Sequence, residues 1–283
     1  MRNKDANQNE NKTIKDKLKW NESQKKAIFG FLAVALFLCA AAGSVLGTKA
    51  VVTSSMNGGG WLSSSTFGDR ELPIYSVDTT ENKIALSFDA AWGAEDFERI
   101  MEILDKHNVK VTFFMTGGWV EQNPECVRTL VEKGHDLGNH SEHHYDMTTI
   151  SKSQQKEEIQ IVHDRVKELT GYEMILFRPP YGSYNNSVIN TAYEMGYFPI
   201  QWNVDSLDWK DYGVDSIIKT VCKHEALGPG SIILCHNGAK YTADALDELL
   251  TNLEEQGYEF VKISDLIMKD HYHMDVTGKQ IAD

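Results

Sequence analysis

The chain has 283 residues, 41% of them hydrophobic and 24% charged, a composition that excludes a disordered chain and suits one large α/β barrel or two smaller domains. The first 26 residues hold eight of the 28 basic and four of the 41 acidic residues, which leaves a formal net charge of −17 on the rest. Such an acidic surface repels phosphate backbones, so nucleic acid is excluded as a partner.

The first predicted element is a membrane segment. A basic leader, 1–26, precedes 22 uncharged and mostly apolar residues, 27–48. A run of this length can cross a bilayer, and its basic flank favours the cytoplasmic side. We therefore predict a transmembrane signal anchor at 27–48, in a single-pass protein of the cell membrane whose remainder lies outside. The alternative is a cleaved signal peptide, since Ala40, Ala41 and Ala42 offer small residues for cleavage, and the domain would then be secreted.

Three segments are predicted after the anchor. Residues 49–72 include a Gly/Ser-rich stretch that is typical of a flexible spacer. The folded domain is predicted to span 73–269. The polar residues 270–283 are expected to form a loose tail.

Strand and helix patterns alternate along the predicted domain. Seven strands are predicted, at Ile84–Phe88, Lys110–Met115, Asp136–Asn139, Met174–Phe177, Phe198–Val204, Ser231–Cys235 and Glu259–Val261. Helical stripes lie between most of them, and one consists of Phe97, Ile100, Met101 and Leu104. Ser151 and Gln154 have the spacing of a capping box. The alternation predicts a mostly parallel sheet that either stays open or closes into a barrel.

Polar residues follow most of the predicted strands. In strand order they are Asp89, His140, Arg178, Asp205 with Asp208, and His236. A barrel places its working residues at the carboxyl ends of its strands, so these side chains are expected on one rim. Imidazoles, carboxylates and a fixed cation together are the residue types of metal-assisted hydrolysis.

The segment HSEHH at 140–144 is a candidate metal site. His140 and His144 are four apart, a spacing that lets two imidazoles meet one metal on a helical turn or in a tight loop. His143 is a spare candidate. We prefer the pair His140 and His144 because His140 ends a strand.

Two further motifs provide a tether and an acid. In FRPPYG, at 177–182, two prolines stiffen the chain so that Arg178 can orient a carboxylate. A carboxylate of DSLDW, at 205–209, beside His236 would fix the tautomer of that imidazole and raise its pKa, which suits a general acid.

The order of these motifs resembles a known family. SFDAAWG (87–93), HSEHH, RPPYG, DSLDW and ILCHN (233–237) resemble the five successive motifs of NodB-like polysaccharide deacetylases, carbohydrate esterase family 4. The resemblance covers about residues 80–268, and the run after Asp89 looks like the sporulation-associated subgroup. It implies a distorted (β/α) barrel of about seven parallel strands. It also implies removal of N-acetyl groups from amino sugars with a divalent metal, zinc being favoured over cobalt and other ions.

The resemblance also assigns roles to individual residues. It implies that Asp89 is the general base, His140 and His144 the metal ligands, Arg178 the tether of the base, Tyr181 a backbone donor to the oxyanion, Trp209 and Leu234 walls of the acetyl pocket, Asp208 the partner of the acid and His236 the general acid.

One position departs from the family pattern. The family's first motif usually has two aspartates, the second of which ligates the metal, and here that position is Ala90. Two histidines are fewer than the three protein ligands of a typical catalytic zinc. Asp89 then becomes a ligand, Glu142 or His143 helps, or the metal binds weakly. Trp92 in the same loop is also unusual, and either reshapes the substrate groove or packs on the rim.

Two main functions follow as expectations. The first is a metal-dependent deacetylase of a cell-wall polysaccharide, either peptidoglycan or a chitin-like glycan, that releases acetate. The second is a catalytically impaired protein that binds wall glycan, which Ala90 favours. Retention of Asp89, Arg178 and His236 favours the enzyme. Hydrolysis of a non-sugar amide on the same barrel is a third alternative.

Overall fold

The computed structural model describes residues 70–283. The leader, the predicted anchor at 27–48 and most of the spacer lie outside the described residues, so these assignments stay predictions. Between residues 70 and 283, no helix is both long and apolar enough to cross a membrane.

The core of the fold is a parallel sheet curled into a half-barrel. A short strand, β1 (Ser76–Val77), comes before this sheet in the chain and is not part of it. The strands of the sheet are β2 (Lys83–Ala90), β3 (Thr112–Met115), β4 (Asp136–Asn139), β5 (Leu176–Phe177), β6 (Phe198–Pro199), β7 (Val204–Asp205), β8 (Ile232–His236) and β9 (Glu259–Phe260). Within residues 70–283 the order is β6-β5-β4-β3-β2-β8-β7, and β9 pairs with the start of β2. The parallel α/β architecture expected from the alternating patterns is confirmed.

Within residues 70–283, all helices but the last pack against the outer face of this sheet, and the last packs with Ala85 and Phe114 of the inner face. The helices are α1 (Phe97–Lys106), α2 (Gly117–Gln122), α3 (Pro124–Glu132), α4 (Lys152–Thr170), α5 (Asn186–Glu194), α6 (Val214–Cys222), α7 (Thr242–Glu255) and α8 (Ile263–Leu266). The predicted stripe on α1 is buried, and the capping box of Ser151 and Gln154 starts α4. These local signals are confirmed because each depends only on residues within a few positions of one another.

The central strand β2 decides which side chains enter the barrel. Its residues from Ile84 to Ala90 are all buried, as expected for a strand covered on both faces. Side chains alternate between the faces, so Ile84, Leu86 and Phe88 pack with the helical layer while Ser87 and Asp89 share the inner face. Asp89 therefore points into the barrel at the carboxyl end of the strand.

The prediction of one continuous strand at Phe198–Val204 is wrong. Its two ends form separate strands, β6 and β7, at opposite edges of the sheet. Pro199 has no N–H to donate and suits an edge strand. Residues 200–203 cross from one edge to the other, and Gln201 N donates to the carbonyl of Ile74 (2.7 Å) in the segment before β1. The sheet is thus an incomplete barrel, with the start of the described chain covering its gap.

The residues expected to form a loose tail, 270–283, are ordered instead. Strands β10 (Tyr272–Met274) and β11 (Lys279–Ala282) form an antiparallel hairpin, and β11 pairs in parallel with β1. Asp275 accepts from the N–H groups of Thr277 and Lys279, which forms the turn, and Gly278 supplies a positive φ of 82°. The folded unit therefore continues past residue 269.

Candidate active site

The predicted site residues meet at one rim of the half-barrel. Asp89 lies near the end of β2, and His236 ends the neighbouring strand β8, directly opposite it in the strand register. His140 and Arg178 follow β4 and β5, which lie on the other side of β2. Carboxyl ends of parallel strands share one edge, which is why positions far apart in sequence converge here.

Arg178 holds the carboxylate of Asp89 inside the barrel. Its Nη1 donates to Asp89 Oδ1 (2.6 Å), and its Nη2 donates to Ser87 Oγ (2.9 Å). The guanidinium is fully buried and lies over the ring of Phe114, 4.0 Å from the centroid. Burial alone would raise the pKa of Asp89, but the charges of Arg178, His140 and His236 outweigh it and lower that pKa. Asp89 is therefore an oriented carboxylate at neutral pH.

The imidazole rings of His140 and His144 lie next to each other at the rim. The Nδ1–H of His140 donates to the carbonyl of Arg178 (2.7 Å), which leaves its Nε2 unprotonated and 3.2 Å from Nε2 of His144. Burial lowers the pKa of His140 to about 4 and also lowers that of His144, so both rings are neutral at pH 7. Ser141 and His144 have positive φ values, so the segment is a tight loop and not a helical turn.

The donor atoms fit a divalent cation in part. Tetrahedral zinc with Zn–N bonds near 2.0–2.1 Å places two nitrogens about 3.3 Å apart, close to the observed separation. Asp89 Oδ2 lies 3.5 Å from Nε2 of His140 and is the nearest carboxylate oxygen described. Among the described residues, however, no three His, Cys, Asp or Glu side chains are grouped as a metal site.

Two other candidate ligands are engaged elsewhere. Glu142 forms a two-point ion pair with Arg165 (2.7 and 2.9 Å), and His143 Nδ1 contacts the buried Glu158 (2.7 Å). The geometry therefore favours Asp89 over both as a third donor.

Asp208 positions His236 on the opposite side of Asp89. Asp208 Oδ1 contacts Nδ1 of His236 (2.7 Å), and its Oδ2 accepts from the His236 N–H (2.7 Å) and from Thr242 Oγ1 (2.6 Å). Burial alone would lower the pKa of His236, but the hydrogen bond and charge of Asp208 outweigh it and raise that pKa. The Nε2 atom of His236 is left as the proton-donating position. Asp205 instead accepts from the N–H of Leu207 (2.8 Å) in the adjoining turn.

The remaining predicted residues surround this centre in different ways. Tyr181 is exposed, has a φ of 60°, and its ring lies 4.5 Å from that of His144. Trp209 is half exposed, and Leu234 is buried on β8 two residues before His236.

Several residues that support the site side chains were not predicted from the sequence. Ser87 receives a hydrogen bond from Arg178, Thr242 donates to Asp208, and Glu158 holds the backbone and ring of His143. The role of Ser87 could have been predicted, because it is a polar residue in an apolar strand and lies two residues before Asp89, on the same face of the strand. Thr242 and Glu158 lie on helices and carried no such signal.

Comparison with protein families gives one matching model, Polysaccharide deacetylase, over residues 76–200. Among curated proteins, the peptidoglycan-N-acetylmuramic acid deacetylase PdaA of Bacillus subtilis is 34% identical over 204 residues, which are 69% of this chain and 75% of PdaA. The peptidoglycan-N-acetylglucosamine deacetylase PgdA of Listeria monocytogenes is 38% identical over 196 residues, but these cover only 41% of its length.

Solved structures include both an enzyme and a pseudoenzyme. The Bacillus subtilis PdaA structure, a family 4 carbohydrate esterase, has a TM-score of 0.64 at 33% identity and covers 69% of this chain and 84% of that one. A CE4 family pseudoenzyme from Bacillus anthracis has a TM-score of 0.66 at 33% identity, covering 74% and 70%. A mutant of that pseudoenzyme is described as having restored enzymatic activity.

Proposed function

Because this chain belongs to the polysaccharide deacetylase family, a family of hydrolases, we propose that it removes acetyl groups from N-acetylated amino sugars of a cell-wall polysaccharide and releases acetate. Peptidoglycan is the favoured substrate, since the matched relatives PdaA and PgdA are named for it, and a chitin-like glycan is the alternative. The run SFDAAWG resembles the sporulation-associated subgroup, which supports wall remodelling during sporulation as the setting.

One observation carries the proposal: on one rim, the oriented carboxylate of Asp89 lies between the histidine pair and the oriented imidazole of His236. Asp89, ionised and held by Arg178, accepts a proton from the attacking water. The backbone N–H of Tyr181 donates to the developing oxyanion. His236, protonated and held by Asp208, donates the Nε2 proton to the leaving nitrogen. Trp209 and Leu234 form walls around the acetyl group.

His140 and His144 are the residues that would hold a divalent cation, with Asp89 as an additional oxygen donor. Imidazole ligands favour zinc among the common divalent ions, with cobalt as an alternative. A bound cation supplies Lewis acidity to the acetyl carbonyl and lowers the pKa of water.

A second candidate function is a wall-glycan-binding pseudoenzyme. Ala90 stands where the family pattern has a metal ligand, and the described residues contain no group of three or more metal-ligating side chains. The similar Bacillus anthracis structure is that of a pseudoenzyme. The retained Asp89, Arg178 and His236 geometry favours the enzyme over this candidate.

The proposed location is outside the cytoplasmic membrane, where the wall substrate lies. The apolar run 27–48 and its basic leader support this location, with the chain either anchored or released by cleavage.

The deciding experiment measures acetate release by the full-length chain, purified in mild detergent, from chitooligosaccharides and from purified peptidoglycan. Zinc, cobalt and chelator are compared, and Asp89→Asn serves as the blank because its amide oxygen can still accept from Arg178. Metal-dependent acetate that is absent in Asp89→Asn supports the deacetylase. A folded protein that releases no acetate with any metal, yet binds either glycan, identifies the pseudoenzyme.

A further inference from the structure

An aromatic side chain outside the assigned machinery lies directly against His236. The indole of Trp92 stacks on the imidazole with ring centroids 5.1 Å apart and planes inclined by 28°. Trp92 nevertheless stays 50% exposed. A large apolar ring left half in water forgoes burial free energy, which is a reason to look for a ligand that covers it.

The loop that carries Trp92 is fixed in place. The carbonyl of Gly93 accepts from Asn237 Nδ2 (2.8 Å) and from Trp119 Nε1 (3.3 Å), and Asp96 Oδ2 accepts from the N–H of Gly238 (2.9 Å). A Cβ on Gly238, which has a φ of 76°, would lie only 3.3 Å from the Gly93 oxygen. The two loops therefore pack backbone to backbone. An exposed ring that is already immobilised loses little conformational entropy when a ligand covers it.

Trp92 also forms one side of a cleft of about 320 Å³ next to the histidine pair. The cleft is lined mainly by Trp92, Trp119, Gln122, Glu142, His143 and His144. Its volume is at the small end of the range for ligand sites, so it suits one compact unit of a ligand. Because His144 and Trp92 border both the cleft and the catalytic rim, a ligand in the cleft would continue directly from the reacting group.

The charges of the cleft select the chemistry of its occupant. Glu142 is neutralised by its two-point pair with Arg165, and His143 is paired with Glu158. Each of these carboxylates has a partner 2.7 Å away, so the cleft offers hydrogen-bonding atoms and only a weak attraction for a free ion. An uncharged ligand with hydroxyl or amide groups and one apolar face is favoured, which describes an N-acetylated pyranose ring.

We propose that Trp92 is the stacking platform of a second sugar subsite, which binds the pyranose unit adjoining the one deacetylated and so makes the protein selective for oligosaccharides. This inference rests on the proposed function for the identity of the glycan. Trp92 is then a specificity-determining residue, and its contact with His236 places the subsite beside the reacting bond.

The test compares wild-type protein, Trp92→Ala, Trp92→Phe and Tyr212→Ala, all as full-length chains in detergent. Tyr212 is a matched control because its ring is 68% exposed and it does not line the cleft. Calorimetric titration with N-acetylglucosamine oligomers of increasing length measures binding without requiring turnover. We expect Trp92→Ala to bind the long oligomers about tenfold more weakly, a loss typical of truncating a Trp contact. The affinity for the monosaccharide should be unchanged, Trp92→Phe should retain most of the long-oligomer affinity, and Tyr212→Ala should bind like the wild type.

Acetate release separates this inference from the proposed function. A subsite predicts that Trp92→Ala lowers kcat/KM through KM, and more for longer oligomers. An equal fall in kcat at every length with unchanged affinity would show that Trp92 only positions His236, and would overturn the subsite. Equal losses in Trp92→Ala and Tyr212→Ala, or no oligomer binding by the wild type, would also overturn it. Trp92-dependent binding without acetate release supports the subsite and rejects the deacetylase.

Discussion

Position 90 lies one residue past the proposed base, and its methyl group offers no ligand to the pair His140 and His144, whereas the resemblance implies an aspartate there. A cation there would rely on two imidazoles and on Asp89, whose other oxygen is already committed to Arg178. The carboxylate of Asp89 would then have to act both as the general base and as a metal ligand. Affinity for the cation is therefore the property that Ala90 affects most directly.

We expect Ala90→Asp to raise zinc affinity about tenfold or more, because the resemblance implies a ligand at position 90, and that ligand would free Asp89 from a double role. Calorimetric titration of zinc into both proteins measures the change. Ala91→Asp is the control, since it adds the same charge on the neighbouring residue. Equal gains in both variants would indicate simple charge attraction and contradict ligation at position 90.

Asp208→Asn is expected to change the pH dependence of turnover. Burial alone would lower the pKa of His236, and Asp208 makes the largest contribution that raises it, so a neutral amide at position 208 should lower that pKa. The acid form is needed to protonate the leaving nitrogen, and the alkaline limb of the activity profile should therefore move to lower pH. A pH series of acetate release measures the limb, and an unmoved limb would exclude His236 as the acid.

At the scale of single residues, the sequence predicted which side chains converge on one rim better than it predicted the residues that support them. Asp89, His140, Arg178 and His236 were predictable because each follows a strand whose apolar pattern is plain. The left-handed backbone at Ser141, His144 and Tyr181 was not, because non-glycine residues adopt positive φ only when tertiary contacts impose it.

The elements of the fold show a similar division. Helix α1 was predictable from its stripe, whereas Phe198–Val204 has the apolar alternation of one strand and forms two. Only the closure of the barrel, which depends on Ile74 filling the gap, decides between these outcomes. Local pattern cannot report a contact with a segment more than 120 positions away.

Helices α1 and α7 are joined by a histidine that contacts two carboxylates. His107 Nε2 lies 2.8 Å from Asp247, and its Nδ1 lies 2.9 Å from Glu254. Both nitrogens can donate only when the ring is protonated. Burial alone would lower the pKa of His107, but the two hydrogen bonds outweigh it and raise that pKa. The stabilisation is thus fully present below the ordinary value near 6.5 and is lost as pH rises through the folded-state value.

We expect His107→Gln to reduce the free energy of unfolding by up to about 1 kcal/mol at pH 6, and by progressively less at higher pH. Urea unfolding between pH 6 and 9 measures the difference from the wild type. Lys106→Gln is the control, because Lys106 pairs with the same Asp247 but does not titrate in this window. A pH-independent effect of His107→Gln would contradict the account.

At the scale of the whole molecule, the hairpin β10–β11 is part of the packed domain. Tyr272 and Met274 are buried with Ile74, Val77 and Ile267 in one hydrophobic cluster that also contains Ala85 and Phe114 of the sheet. The hairpin is therefore expected to contribute to the stability of the domain, although it supplies none of the proposed catalytic residues.

Ending the chain after Asp270 should lower the free energy of unfolding by about 3–6 kcal/mol, the range expected from losing two buried side chains of this size. The urea midpoint of the full-length and shortened chains measures the loss. Val276→Ala, at an exposed position of the hairpin turn, is the control and should be near neutral. An unchanged midpoint after truncation would show that the hairpin is dispensable.

The predicted topology is testable on the intact cell. With an anchor at 27–48 and the domain outside, protease added to wall-stripped cells should degrade the domain while cytoplasmic proteins survive. Immunoblotting against the domain measures this. Full protection of the domain until the membrane is lysed would contradict the topology.

The pairing of β1 with β11 also constrains the order of folding. Ser76 and Lys279 are register partners although 203 positions separate them. Contacts of such long range carry a large loop-closure cost and form slowly. The edge of β1 that pairs with β11 can be covered only after nearly the whole domain has been synthesised, and until then this edge offers unpaired backbone groups to any neighbouring chain. A nascent or prematurely terminated domain is therefore the species most exposed to aggregation and to quality-control proteases.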